Sequence, residues 1–225
     1  MARIDPHASA THRTRRIDGL WGNRAFWTVA LLACFALLSA AKPVVLHDGG
    51  AVTYFSLLFL WLASYFFGPR YGAACGVVFG IVRLGVTWVT GEYVNFAPGA
   101  LVLEYPVACA VFALGCLIKP SPEEDVRSSL SEGHVGHARQ LRLGYLVGVL
   151  AMGVCYVVSA VLFYPPDREG FLANLLFCIT YDMSYLLVEA AITMAVLAIP
   201  QVVDAIAFLK TVATTKRSDP TLLHF

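Results

Sequence analysis

An all-α membrane protein, a bundle of six transmembrane helices with both termini in the cytoplasm, is the fold class that this sequence predicts. Three observations predict it. Hydrophobic residues make up 58% of the 225-residue chain and charged residues only 14%, against about 25% charged in a soluble domain. Too few polar side chains remain to cover a water-facing surface. Six apolar runs reach or approach the roughly 17–25 residues that a bilayer-spanning helix needs. Basic residues, finally, crowd into alternate connections between those runs.

Residues 1–25 read as a basic cytoplasmic tail. They hold Arg3, Arg13, Arg15, Arg16 and Arg24 but no apolar core of the kind a secretory signal needs. The apolar runs follow at roughly 26–45, 52–68, 72–90, 98–118, 143–164 and 172–199, making 26–200 one transmembrane domain. The second run is short and ends at Gly68-Pro69. The sixth is long and stops at Pro200, where the ring and missing N–H oppose helix continuation. Residues 201–225 form a C-terminal tail. Its stretch 201–213 is apolar but broken by Asp204 and Lys210, so it lies along the membrane surface or extends the last helix. The connection 119–142 is the one long polar stretch. It mixes Glu123, Glu124, Asp125 and Glu132 with basic residues, serines and glycines, and is expected to be a mobile cytoplasmic loop.

Orientation follows from the basic residues. The N-terminal tail, Arg70, the connection with Lys119, Arg127, Arg139 and Arg142, and the tail with Lys210, Lys216 and Arg217 share one side. Only Lys42 and Arg168 fall on the other. Both termini are therefore expected in the cytoplasm of a multi-pass plasma-membrane protein. Net charge is +1, which gives no reason to expect nucleic acid.

Four ionisable groups fall inside spans: Arg83, Glu104, Asp182 and Glu189. Such groups are expensive in a bilayer and mark function or pair with one another. Glu104 and Asp182 both enter from the outer face and come to the outer half of the membrane. Aromatic residues lie at similar depth: Trp88, Tyr93, Tyr105, Phe177, Tyr181 and Tyr185. Carboxylates among aromatic rings suit a cationic, ring-shaped ligand, through charge, hydrogen bonding and cation–π contact. An interfacial aromatic belt and a pairing of Arg83 with Glu104 or Glu189 are the competing readings, and Glu189 reads as structural. The six cysteines all sit in apolar runs without a Cys-x-x-Cys pair and read as small buried hydrophobes. The histidines lie outside the spans; His134 and His137 make at most a weak metal pair. No metal site and no cofactor is expected. There is no nucleophile elbow, no phosphate-binding loop and no zinc motif, so a transporter of this sequence would need an ion gradient or a separate motor.

Three stretches resemble one family. The first runs from Asp48-Gly49-Gly50-Ala51-Val52-Thr53 through Ser56 to Arg70-Tyr71-Gly72. The second is Leu103-Glu104-Tyr105-Pro106-Val107-Ala108, followed by Ala113-Leu114-Gly115. The third is Tyr181-Asp182-Met183-Ser184-Tyr185-Leu186-Leu187-Val188-Glu189. In order and spacing they are similar to the thiamine-specific substrate-binding component of energy-coupling factor transporters, over roughly residues 48–200. The resemblance implies a six-helix subunit, not an enzyme, that captures thiamine or a related small molecule from outside. A membrane-embedded coupling subunit and two ATPase subunits would then drive uptake. It implies that Glu104 and Tyr105 contact the vitamin. Asp182 stands where the family has asparagine, and Phe177 where it has tyrosine. A histidine and a tryptophan expected on the fifth helix are missing. Ala36 and Ala40, one turn apart on the first helix, stand where the family faces its coupling subunit; small residues so spaced let helices approach closely in lipid, and packing inside the bundle is the alternative reading. Two other classes stay open from the residues alone: an intramembrane enzyme using Glu104 and Asp182 as an acid–base pair, and a structural membrane protein whose buried charges pair only with each other.

Overall fold

The computed structural model describes residues 24–46, 50–119, 138–164 and 169–214. The expected N-terminal tail (apart from Arg24 and Ala25), most of the loop 119–142, and the end of the C-terminal tail lie outside the described residues, as does His47. The apolar runs are helices: α1 (Arg24–Ala40), α2 (Ser56–Phe67), α3 (Pro69–Val89), α4 (Pro98–Leu117), α5 (Ala138–Phe163) and α6 (Phe171–Leu197), with a further helix α7 (Pro200–Thr214). Four of these, α3 to α6, are long and apolar enough to cross a membrane. About a third of each is buried against the rest of the chain. The outer faces carry exposed Val89, Leu117, Leu162 and Leu172. That much apolar surface facing outward from long helices fits lipid as the solvent.

The second run differs from expectation. Residues 51–52 form β2, paired antiparallel with β1 (Val44–Val45), and α2 begins only at Ser56. Its 12 residues span about 18 Å at 1.5 Å per residue, well short of a hydrocarbon core of about 30 Å. All but two of them are buried, because α2 sits inside the bundle, with Trp61 fully enclosed and donating through Nε1 to the Leu141 carbonyl of α5 at 3.1 Å. A helix that starts inside an apolar bundle leaves bare N–H groups, which apolar neighbours cannot satisfy. Its N-cap, Phe55, adopts φ 58 and offers no side-chain cap. Glu189 of α6 does the work instead. One of its oxygens accepts from the Leu57 N–H and the Ser56 hydroxyl, both at 3.1 Å, and the other from the Thr53 hydroxyl at 2.6 Å. The carboxylate also meets the positive end of the α2 dipole. Glu189 is thus a cap supplied from another helix. Glu189→Gln removes that charge and is expected to lower stability by about 1–3 kcal/mol, seen as a lower unfolding midpoint in detergent. An unchanged midpoint would show that the cap is dispensable.

At Pro200 the chain breaks and restarts, with Pro200 as the first residue of α7. Arg142 of α5 donates to the Leu197 carbonyl at 2.7 Å, satisfying the end of α6. Lys210 lies 4.0 Å from the Tyr65 ring centroid, tying α7 to α2. The apolar stretch 201–213 is therefore a separate helix packed on the bundle, not an extension of α6.

Candidate functional site

Because α2 starts late, the half of the bundle beyond its N-terminus is filled by side chains from α1, α3, α4, α5 and α6 around a cavity. The cavity is lined by Ser39, Lys42, Gly50, Ala51, Thr53, Arg83, Thr87, Glu92, Tyr93, Glu104, Tyr105, Tyr156, Ala160, Tyr164, Phe177, Cys178, Tyr181, Asp182 and Tyr185. The β1–β2 hairpin packs over α6: the Gly50 N–H donates to the Tyr181 hydroxyl at 3.4 Å. A side chain at Gly50 would strike the Tyr185 ring, 2.7 Å from where its Cβ would sit.

Local winding aims the key residues. Residues Leu103–Val107 of α4 form a π-helical turn with Pro106 inside it. Proline has no N–H for the ladder, and the wider turn absorbs the lost bond. Such turns recur at functional sites, and this one carries Glu104 and Tyr105. The Ser159 hydroxyl donates to Glu104 Oε1 at 2.7 Å and the Tyr164 hydroxyl to Oε2 at 3.4 Å. On α6, Phe177, Cys178, Tyr181, Asp182 and Tyr185 share one face by their helical spacing. The Tyr185 hydroxyl donates to Asp182 Oδ1 at 3.2 Å. Asp182 Oδ2 and the Ser39 hydroxyl are, among the described residues, the buried side-chain polar atoms without a hydrogen-bond partner. Both residues line the cavity. A buried acceptor left bare costs about 1–3 kcal/mol, so these two atoms point to a ligand.

Aromatic rings form much of the wall. Phe177 and Tyr181 stack with centroids 6.1 Å apart and planes 23° apart. Tyr156 and Tyr185 lie 6.4 Å apart, and Tyr93 and Tyr164 6.3 Å. At the mouth, Lys42 and Glu92 form an ion pair, and Lys42 also donates to the Thr90 hydroxyl at 3.3 Å. Burial, with the Arg83 guanidinium adding to it, lowers Lys42 to about 8. Burial and the neighbouring Glu104 push the Tyr164 hydroxyl well up, which keeps it a neutral donor.

Of the eight residues expected at a binding site, Glu104, Tyr105, Asp182, Tyr181, Phe177, Tyr93 and Tyr185 come together around this cavity. Trp88 does not: it is 70% exposed on the last turn of α3, edge-on to Phe96 at 6.5 Å, which suits the interfacial-belt reading. The pairing of Arg83 with Glu104 or Glu189 is not made. Glu104 is held by Ser159 and Tyr164, and Glu189 by the α2 cap. Sequence reasoning missed Lys42, Glu92, Ser39, Thr53 and the α5 face. Tyr156, Ala160 and Tyr164 recur every four residues, a stripe legible in the sequence. Lys42 and Glu92 meet only through the tertiary fold. Among the described residues no group of three or more metal-ligating side chains occurs.

The model of the family described as thiamine transporter protein (Thia_YuaJ) matches residues 26–209. No curated protein and no solved structure matches the chain. The matched stretch holds most of α1, all of α2 to α6, most of α7 and every residue that lines the cavity, and the chain belongs to the thiamine transporter protein family.

Proposed function

We propose that this chain is the six-helix substrate-capture subunit of an energy-coupling factor transporter, binding thiamine from outside the cell with both termini in the cytoplasm. One observation carries the reading: an aromatic-walled cavity within the bundle that holds two carboxylates, one of them with a bare buried oxygen. Thiamine joins an aminopyrimidine, which donates hydrogen bonds, to a cationic thiazolium. Glu104 accepts from the aminopyrimidine. Asp182 places negative charge near the thiazolium. Tyr105, Tyr181, Tyr185, Phe177 and Tyr93 wall the rings by stacking and cation–π contact. Asp182 and Phe177 favour a second reading in which the same pocket takes another cationic or pyrimidine-containing compound, such as a thiamine precursor.

In this reading a separate membrane-embedded coupling subunit and two ATPase subunits drive uptake. On α1, Ala40 is exposed and Ala36 half-buried, a face of small residues against which a coupling helix can pack closely. The test is equilibrium dialysis of radiolabelled thiamine against the detergent-purified protein. Saturable binding at one site is expected. No binding up to ~1 mM, equivalent to about −4 kcal/mol, would overturn thiamine as the ligand. Tryptophan fluorescence is the weaker assay, because Trp88 lies outside the cavity and Trp61 is fully buried.

A further inference from the structure

A second cavity lies against the first, between the segment that follows α1 and the turn that follows α3. Its volume of about 410 Å³ is that of a small-molecule site. Lys42, Glu92 and Tyr93 line both cavities, so they form the partition between them. Local chain geometry sets that partition. After α3 ends at Val89, Gly91 takes φ 74, which glycine adopts without strain. The Glu92 N–H then turns back to the Thr87 carbonyl at 3.2 Å. Lys42 follows the end of α1 and precedes Pro43, which disfavours helix at Lys42. The two side chains meet as an ion pair, each only 9% exposed. The Thr90 hydroxyl bridges them, accepting from Lys42 Nζ at 3.3 Å and donating to Glu92 Oε1 at 2.7 Å.

We infer that the second cavity is an outer binding site for a cationic ring, where the ligand takes Glu92 from Lys42 and then passes into the main cavity. This rests on the reading of the main cavity as a site for a thiamine-like cation. In so enclosed a pair, taking away one partner leaves the other charge bare at a high cost. A ligand cation that reaches Glu92 avoids that cost, because it replaces the ammonium as counter-ion of the carboxylate. The freed ammonium is a strongly hydrated ion and returns to water. A neutral ligand offers Glu92 nothing in exchange and must part the pair unaided. Tyr93, in the wall of both cavities, adds a ring for cation–π contact. Glu92 thus selects for charge on the way in, whereas Glu104 and Asp182 hold the ligand once it is inside.

The test measures association rates by rapid filtration on the full-length protein in detergent. Its two radiolabelled probes are thiamine and a neutral isostere with carbon in place of the thiazolium nitrogen. The wild type is expected to take up thiamine about tenfold faster than the isostere, the lower end of what a local charge does to an on-rate. Lys42→Met, which bares Glu92, should raise the thiamine association rate. Glu92→Gln, which bares Lys42, should lower it about tenfold. A merely steric latch would open in both variants, so faster entry of thiamine in both overturns the exchange. Unchanged rates in both folded variants overturn it too and leave the thiamine reading standing. If a variant does not fold, the wild type decides: equal association rates for the two probes overturn the inference. Failure of the wild type to bind thiamine at all overturns the thiamine reading, and this inference with it.

Discussion

Glu104→Gln is expected to lower thiamine affinity at least tenfold, about 1.4 kcal/mol. The substitution is nearly isosteric, so packing on the π-helical turn should survive and the loss should report chemistry. The carboxylate accepts from Ser159 and Tyr164, and each oxygen has acceptor capacity left for a ligand N–H. The amide replaces one oxygen by an NH2, and the hydroxyl it faces, Ser159 or Tyr164, then accepts instead of donating. It also removes the negative charge. Hydrogen bonds to charged groups contribute about 1.5–3 kcal/mol, which brackets a loss of roughly ten- to a hundredfold. The measurement is thiamine titration of both proteins, with the detergent unfolding midpoint as a check on folding. Undiminished affinity in a folded variant would remove Glu104 from the site and sink the pocket assignment.

How far the sequence reveals this molecule differs between levels. Helix positions were legible, because apolar run length and proline placement are local signals. Runs expected at 72–90, 98–118 and 172–199 are helices Pro69–Val89, Pro98–Leu117 and Phe171–Leu197. The length of α2 was not legible. Residues 52–55 are as compatible with helix as with the strand and turn they form, and the cap that lets α2 start late comes from Glu189, 132 positions beyond Leu57. The site was legible where an ionisable residue sits in an apolar run, as with Glu104 and Asp182. It was illegible where a pairing arises between loops, as with Lys42 and Glu92. Trp88 misled because its depth along α3 resembles that of the cavity residues while its direction around the helix does not. Gly72, Gly76 and Gly80 recur every four residues, and glycine repeats of that spacing mark close helix contacts in membranes.

That glycine stripe carries the second large effect. Gly80 of α3 lies against the backbone of the π-helical turn. A Cβ there would meet the Tyr105 carbonyl oxygen and sit 2.6 Å from the Pro106 Cα. Gly76, one turn earlier, would place its Cβ 2.7 Å from the Ala110 Cα. These are main-chain atoms, so no rotamer change can relieve the contact, and α3 and α4 must part. Gly80→Ala is therefore expected to cost about 1–3 kcal/mol by overpacking. It should also reduce thiamine binding at least tenfold, about 1.4 kcal/mol, because the displaced turn carries Glu104 and Tyr105. Gly85 provides the control on the same helix: a Cβ there meets nothing within 4 Å. Gly85→Ala should be neutral or raise stability by up to about 1 kcal/mol, as alanine replaces glycine in a helix. Unfolding midpoints and thiamine affinities of the two variants decide the matter. If Gly80→Ala behaves like Gly85→Ala, close approach of α3 does not hold the π-helical turn in place. If stability falls but affinity does not, the turn keeps its geometry by other contacts. Loss of both, with Gly85→Ala unaffected, ties the shape of the binding site to the absence of one side chain on the neighbouring helix.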